Sequence, residues 1–488
     1  MPKEEPKVKV CSWNEWDPLK RLILGRPEGT QVAGPEPGLY SHQPEGGYPI
    51  GTWGMYPQEM VDEANEQMDN FVRILIARGI AVDRVEVHPV YKEVRGNGTP
   101  DWTMPNVRGT NCPRDLFMTV GNEIIEASGA LRSRWYEYLN LRPIFERYFN
   151  EDPECLWTAA PKPRMTDESY ERNYWYNYYN VWTDEEKRKR MEESRFHLTD
   201  KEPMWDAACC MRMGKDIFWY HSCVTNNAGI DWLKRYFGAK GIRIHDVQFG
   251  TTGIVFYAFH IDVIICPIRP GLLIHNPTRP FLTEEAVQLF KKNDWEIVEA
   301  VGPTYNYNEV LDSFGTPRKG PNPIYFNTLS LGPNTICVEA HEERYIEQLT
   351  KLGVEVIPVP YDKVVPFGGS LHCTTVDVNR DGNKLTWGKS DEALCVGDLS
   401  FTSQGPEVTN VHDVAVCPKE FEVYHSDWSP DGKHIAFSFG PAAEEIVGER
   451  AEGWNICVGD LTGKWTPVTT DGKDNKEPDW VPLRRTGQ

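Results

Sequence analysis

The chain has 488 residues, and 25% of them are charged, which is the balance of an ordinary soluble protein of two to three domains. The formal net charge of −20 disfavours nucleic acid and anionic membranes as partners, because like charges repel. No apolar run reaches the roughly 18 residues that a membrane span needs, so we also expect no insertion into a membrane.

Two features of the sequence indicate a reducing compartment. Twelve cysteines are scattered along the chain, without the paired spacing of a metal site or the framework of a small secreted protein. The N-terminal stretch MPKEEPKVKVCSWNEW contains no apolar signal core. We therefore predict a cytoplasmic protein whose thiols are reduced.

Strand-like and helix-like segments alternate up to about residue 380. Residues 19–25 are typical of a strand, and residues 57–80 of an amphipathic helix, because apolar side chains recur there every three or four positions. Further segments of this kind are residues 82–90, 283–300 and 342–360. Such repeated units predict an α/β domain over residues 1–380. The aromatic stretch 173–182 has no clear period, and we predict a loop or lid there.

The last hundred residues have a different pattern. The pentapeptide CVGDL occurs at residues 395–399 and again at 457–461, and Asp377, Asp427 and Asp479 mark a period of roughly fifty residues. Each unit combines an Asp-Gly turn with β-runs, which suits a four-stranded propeller blade. The segment SDWSPDGKHIAFS resembles the blade repeats of TolB-like propellers. We therefore predict a separate β-rich segment of about two blades over residues 381–488.

The segment FGGSLHCTT, residues 367–375, places His372 next to Cys373. A free thiol has a pKa near 8.5, so a nucleophilic cysteine needs a base or a positive neighbour. If this segment is a strand, His372 and Cys373 point to opposite faces, and the base must come from elsewhere. On local sequence alone, a buried structural cysteine is favoured over a nucleophile.

Other segments supply an imidazole and carboxylates. In FHIDVIICPIRPG, His260 and Asp262 are two residues apart, so on a strand both face the same side. They are either a buried pair that satisfies each other, or a base beside a carboxylate that binds a cation. Two further carboxylates are Asp206 in MWDAAC and Asp115 before the strand-like FMTVGNEIIEA. Each could instead have a structural role, as a helix cap or a turn residue. Together with a thiol, these carboxylates suit a guanidinium group, whose paired N–H donors a carboxylate accepts.

Long stretches of the chain resemble the glycine amidinotransferase and inosamine-phosphate amidinotransferase family, which belongs to the guanidine-modifying pentein-fold group. The matching stretches are residues 113–149, 157–163, 205–218, 224–237, 260–280 and 368–378. The resemblance covers about residues 10–380 and leaves the blade-like segment outside. It implies a five-fold pseudo-symmetric α/β propeller of ββαβ modules, with the site on the central axis.

The resemblance also implies roles for six side chains. They are the nucleophile Cys373, the general acid/base His260, its orienting acid Asp206, the guanidinium-binding Asp115 and Asp262, and Arg279 for the α-carboxylate of the donor. The implied reaction is a ping-pong transfer of the amidino group of L-arginine to an acceptor amine, with release of ornithine and without a metal or organic cofactor. We expect a homodimer or another homo-oligomer.

The chain departs from the family at Tyr257 and Phe259, where the glycine enzymes carry Asn and Met on the acceptor side. The acceptor is therefore predicted to be an amine other than simply glycine. Two alternatives stay open at this point. One is a guanidine hydrolase of the arginine deiminase type, in which water replaces the amine, and the other is a non-catalytic scaffold that acts through the C-terminal segment.

Overall fold

The computed structural model of the chain describes residues 8–39, 53–247, 249–250, 260–277, 281–311, 317–322, 324–380, 384–389, 393–402, 405–429, 434–442, 452–476 and 478. Tyr257, Phe259 and Arg279 lie outside the described residues. The chain divides into two compact units, Met1–Arg380 and Asp381–Gln488. In the described ranges, no helix combines the length and the apolar character that crossing a membrane requires.

The described part of the first unit contains five three-stranded sheets of one design, which we call modules I to V. In each module the first two strands are antiparallel, and a helix leads from the second strand to a third strand that runs parallel to it. The strands are Phe117–Val120, Glu123–Glu126 and Leu156–Ala159 in module I; Cys210–Met213, Asp216–Tyr220 and Arg243–Val247 in module II; Ile265–Arg269, Leu272–His275 and Glu296–Glu299 in module III; Leu329–Gly332, Thr335–Glu339 and Glu355–Val359 in module IV; and Thr375–Arg380, Leu19–Leu24 and Ala81–Arg84 in module V.

Helices and short strand pairs complete the first unit. The connecting helices of modules I to V are Arg142–Glu151, Asn227–Gly238, Glu284–Lys292, Glu343–Lys351 and Gln58–Ala77, and two further helices are Tyr174–Asn180 and Asp184–Glu192. The two-stranded pairs are Gln31–Val32 with Gly54–Met55, Asn97–Thr99 with Trp102–Met104, Phe249–Gly250 with Phe281–Leu282, and Asn306–Leu311 with Pro317–Pro321.

The helix of module V shows why these sequences fold in this way. Its buried residues recur at helical spacing and form one face, which packs on the strand Leu19–Leu24. Each large apolar side chain that is fully buried, such as Phe71 or Leu75, contributes roughly 1.5–3 kcal/mol relative to exposure. The predicted helix is therefore confirmed. The strand expected at residues 82–90 is shorter than predicted and ends at Arg84, and Pro89, which cannot donate a ladder hydrogen bond, begins a 3-10 turn.

The aromatic stretch 173–182 forms the helix Tyr174–Asn180, so the prediction of a loop is wrong. Aromatic residues on all sides of this helix hide the helical period in the sequence. Tyr174 and Trp175 are both buried, and their rings pack edge-to-face and against His197. Ring packing therefore stabilises a short helix whose sequence has no separate polar face.

The regular elements described in the second unit are all strands, joined by turns and irregular segments. One antiparallel sheet contains Lys384–Lys389, Ala393–Thr402 and Gly405–Val416, and the other contains Phe421–Trp428, His434–Pro441, Asn455–Asp460 and Trp465–Pro467. The aspartate that opened the supposed repeat, Asp377, lies in module V of the first unit, where it pairs with buried arginines. Asp377 therefore belongs to the first unit and cannot mark the start of a C-terminal repeat.

Candidate active site

The candidate site residues share one position in the fold, the segment that leads into the first strand of each module. In a five-fold arrangement these segments meet near the axis, so residues that are far apart in sequence come together. The residues are Asp115 in module I, Asp206 in module II, His260 and Asp262 in module III, Asn327 in module IV and Cys373 in module V.

Cys373 lies in a turn just before the strand Thr375–Arg380, and it is only 6% exposed. Its thiol donates a hydrogen bond to Asp262 Oδ2 over 3.3 Å. Burial raises the pKa of this thiol well above its usual range, and the nearby carboxylate of Asp262 raises it further. The thiol is therefore held in its protonated form when no cation is bound beside it.

His372 also contacts this carboxylate, which corrects the expectation that it faces away. Residues 371–374 form a turn, so the alternation of a strand does not apply to them. His372 Nδ1 donates to Asp262 Oδ2 over 2.8 Å, and its Nε2 lies 3.5 Å from Glu15 Oε2. His372 therefore orients the same carboxylate oxygen that the thiol of Cys373 contacts.

His260 lies between two carboxylates. It precedes the 3-10 helix Ile261–Val263, where the sequence had indicated a strand. Its Nδ1 lies 3.5 Å from Asp115 Oδ1 and its Nε2 lies 3.5 Å from Asp206 Oδ2. Burial alone lowers the pKa of His260, but the charges of Asp115, Asp206 and Asp262 outweigh burial and raise it. The imidazole therefore tends to carry a proton that it can donate.

Two carboxylates of the site each have one oxygen that accepts no hydrogen bond from any described residue, Asp115 Oδ1 and Asp262 Oδ1. The other oxygen of Asp115 pairs with Arg134, and the other oxygen of Asp262 is taken by His372 and Cys373. Burial raises the pKa of Asp262, but the hydrogen bond and charge of His372 outweigh this and lower it. Since buried anionic oxygens are costly without donors, this arrangement suits a ligand with N–H donors and positive charge.

A buried group of ion pairs supports the turn that carries Cys373. Arg114 Nε donates to the carbonyl oxygen of His372 over 2.9 Å, and its Nη2 lies 2.9 Å from Asp377 Oδ1. Arg212 pairs with Asp377 at 2.6 Å and with Glu15 at 2.8 Å. Because breaking a buried pair on one side costs about 3–5 kcal/mol, this group fixes the backbone beneath the site.

Asn327 belongs to the site although the sequence analysis did not single it out. Its Oδ1 accepts the backbone N–H groups of both His372, at 3.1 Å, and Cys373, at 3.0 Å. The residue is 1% exposed, and its Nδ2 finds no acceptor among the described residues. The signal that could have identified it is its position two residues before an apolar strand, which Asp115 and Cys373 share.

One group outside this site has the composition of a cation site. Glu339, His341 and Asp362 each offer a ligand atom, and these atoms lie within 4.8 Å of one another. Their oxygens already accept protein hydrogen bonds, including His341 Nδ1 to Glu339 at 2.8 Å and Gln67 to Asp362 at 2.7 Å. These internal hydrogen bonds account for the group without a metal ion.

Comparison with known proteins gives close matches in sequence. No family model matches the chain. The chain is 34% identical over 376 residues to mitochondrial glycine amidinotransferase from Xenopus tropicalis. This match covers 76% of this chain and 83% of the relative. It is 31% identical over 382 residues to L-arginine:L-lysine amidinotransferase from Pseudomonas savastanoi pv. phaseolicola, covering 76% of this chain and 95% of that enzyme.

Solved structures agree with these matches. An amidinotransferase of saxitoxin biosynthesis from Microseira wollei has a TM-score of 0.63 and 33% identity, covering 76% of this chain and 98% of that chain. Inosamine-phosphate amidinotransferase from Streptomyces griseus has a TM-score of 0.62 and 29% identity, covering 76% of this chain and 97% of that chain. The five modules and these neighbours confirm the predicted pentein fold.

Proposed function

The chain belongs to the amidinotransferase family and is a transferase, and we propose that it moves the amidino group of L-arginine to an acceptor amine through an intermediate on Cys373. The observation that carries this proposal is a pair of buried carboxylate oxygens, Asp115 Oδ1 and Asp262 Oδ1, that accept no hydrogen bond from the described residues and lie in the site of a buried thiol. Arginine as the donor is supported by the relative named L-arginine:L-lysine amidinotransferase.

Donor binding also explains how the thiol becomes reactive. The planar guanidinium group would donate N–H bonds to Asp262 Oδ1 and to Asp115 Oδ1; neither oxygen accepts a hydrogen bond from a described residue, although His260 Nδ1 lies 3.5 Å from Asp115 Oδ1. Its positive charge would offset the carboxylates that raise the pKa of Cys373. The thiol would then release its proton to solvent when the electrophilic carbon is in place, and the thiolate would attack that carbon.

His260 would handle the protons of both half-reactions. In the first, the C–S bond forms, the imidazolium protonates the departing nitrogen, and the bond from carbon to that nitrogen breaks to release ornithine. In the second, the neutral imidazole takes a proton from the acceptor amine as the amine nitrogen attacks the amidino carbon. The C–S bond then breaks, and the released Cys373 thiolate takes up a proton from solvent. Asp206, 3.5 Å from His260 Nε2, would orient the ring in both steps.

Product analysis tests the proposed function against its alternatives. The protein is incubated with arginine and a panel of amines, and ornithine, citrulline and new guanidino compounds are measured together. We expect ornithine and one guanidino product in equal amounts. Citrulline as the main product would instead identify a hydrolase, and the absence of turnover with any amine would favour the scaffold.

We propose that Arg279 binds the α-carboxylate of the donor. Arg279→Ala should raise the KM for arginine by about 10–100-fold, since a hydrogen bond to a charged group contributes about 1.5–3 kcal/mol, and should slow single-turnover transfer less. Arg243→Ala, which removes an exposed arginine paired with Asp216, is the control and should leave KM unchanged. Equal use of agmatine and arginine by the wild type would show that this role is wrong, because agmatine has no carboxylate.

We propose that Tyr257 and Phe259 shape the acceptor side and favour an amine with an apolar or cyclic body. The measurement is kcat/KM for glycine and for larger amines, in the wild type and in Tyr257→Asn/Phe259→Met. The double variant should shift toward glycine by about 10–200-fold, the range by which an apolar pocket discriminates. A wild type that prefers glycine, with no shift in the variant, would contradict the proposal.

Three further expectations stay predictions. They are the assignment of residues 381–488 to TolB-like blades, the homo-oligomeric state and the cytoplasmic location. An experimental structure of residues 381–488 would test the blades, and the mass of the protein in solution would test the oligomeric state. Localisation in cells would test the cytoplasmic location.

A further inference from the structure

A second cysteine lies beside the proposed nucleophile. Cys112 immediately precedes the 3-10 helix Pro113–Asp115 in module I, so it reaches the axis from the module next to the one that carries Cys373. A Cβ atom built on Gly369 would lie 2.7 Å from Cys112 Sγ and 3.6 Å from Cys373 Sγ. The two sulfurs are therefore separated by no more than the sum of these two distances.

Gly369 allows this close approach. The same Cβ would lie only 2.6 Å from Cys373 Cβ, so any other residue at this position would clash with both cysteines. The backbone around Cys112 is fixed as well, since Arg134 Nη2 donates to its carbonyl oxygen over 3.0 Å. Because a disulfide needs Cβ atoms roughly 3.5–4.5 Å apart, rotation of the two cysteine side chains has to close the remaining gap between the sulfurs.

The proposed transfer reaction gives Cys112 no part. Its side chain is 7% exposed, and it accepts a weak hydrogen bond from Asn111 Nδ2 at 3.8 Å. Other buried cysteines of the first unit contact different groups: Cys209 lies 3.4 Å from Ser222 Oγ and Cys210 lies 3.5 Å from the sulfur of Met118. A thiol that is held close to the nucleophile is a partner for it under oxidising conditions.

We propose that Cys112 and Cys373 form an oxidative modification site, at which a peroxide converts the two thiols into an intramolecular disulfide. The Cys373 thiol releases its proton and the thiolate attacks one peroxide oxygen. The O–O bond breaks, Cys373 becomes a sulfenic acid, and the other oxygen leaves as hydroxide, which that proton converts to water. The Cys112 thiol then attacks the oxidised sulfur, the S–S bond forms, and the hydroxyl leaves as a second water. The peroxide is the oxidant for the whole conversion, and a dithiol reverses the product.

This modification has two consequences for the protein. The disulfide occupies the nucleophile, so it stops turnover reversibly. It also protects Cys373 from further oxidation to sulfinic and sulfonic acids, which a thiol reductant does not reverse. Because burial raises the pKa of both thiols, the reaction should accelerate as pH rises.

The test uses the full chain treated with hydrogen peroxide, followed by peptide mass spectrometry and by assay before and after dithiothreitol. In the wild type we expect a peptide pair joined through Cys112 and Cys373, and recovery of most activity on reduction. In Cys112→Ala we expect no such pair, sulfinic or sulfonic acid on Cys373, and recovery of less than about one-tenth of the lost activity. Cys417→Ser, a half-buried cysteine of the second unit, is the matched control and should behave as the wild type.

Two results would overturn the proposal. One is a peroxide-treated wild type whose joined peptides do not contain both Cys112 and Cys373, and the other is a Cys112→Ala protein that recovers on reduction as fully as the wild type. The joined peptides are detected without any turnover, so this test stands even if the proposed transfer reaction fails. If Cys112→Ala does not fold, the joined peptides of the wild type alone test the proposal.

Discussion

Replacing Cys373 by serine is expected to lower kcat by at least about 10³-fold, because the proposed reaction passes through a bond to its sulfur. Serine preserves the size of the side chain and the backbone hydrogen bond to Asn327, so the thermal midpoint should change little. With arginine and no acceptor, the wild type should accumulate an amidino adduct on Cys373, measured by mass spectrometry of the digested protein. The serine variant should show none.

The control for this experiment is Cys417→Ser, which removes a cysteine of the second unit. It should retain turnover and form the adduct on Cys373. An adduct on a different cysteine, or substantial turnover by Cys373→Ser, would mean that the nucleophile has been assigned incorrectly.

Replacing Asp262 by asparagine should separate two properties that normally rise and fall together, the reactivity of the thiol and the rate of transfer. The Asp262 carboxylate raises the pKa of Cys373, so removing its charge should lower that pKa. At a pH well below the pKa of the thiol, the thiolate fraction is about 10-fold larger if that pKa is lower by about 1. Alkylation by iodoacetamide, which reacts with the thiolate, should then become about 10-fold faster. Turnover with arginine should fall by about 100-fold or more, because one anchor of the guanidinium group is lost.

Alkylation rates of the free protein across pH, compared with turnover at saturating arginine, measure both effects. Asp216→Asn is the control, since Asp216 is a partly exposed carboxylate that pairs with Arg243 and His245. It should change neither quantity. Slower alkylation of Asp262→Asn would show that this carboxylate does not hold the thiol in its protonated form.

Much of the architecture could be predicted from the sequence, but the local structure that places the site residues could not. The alternation of strands and helices predicted an α/β domain, and the resemblance to a known family predicted the five modules. His260 and Asp262 were expected to face the same side because they lie two apart on a strand. They instead reach the site from the 3-10 helix Ile261–Val263 and the residue before it, in the segment that precedes the first strand of module III.

The residues that the sequence did not predict correctly have physical explanations. His372 was assigned to the far face of a strand, but a turn has no alternation, and the ring contacts Asp262. Asn327 has no chemical signature, because an amide that accepts two backbone N–H groups looks like any loop asparagine. Its importance depends on which turn it faces, and this follows only from the arrangement of the modules.

Module V is built from both ends of the first unit, since Leu24 pairs with Thr375 and Ile23 with Val376. During synthesis, the strand Leu19–Leu24 leaves the ribosome early and must wait for its antiparallel neighbour until four other modules have been made. Closing such a long loop costs entropy before the new contacts compensate for it, so ring closure is expected to be a late and slow event in folding. A nascent chain therefore cannot carry out chemistry at Cys373 before the whole unit has been translated. Until then the strand Leu19–Leu24 has one unpaired edge, which is open to incorrect pairing.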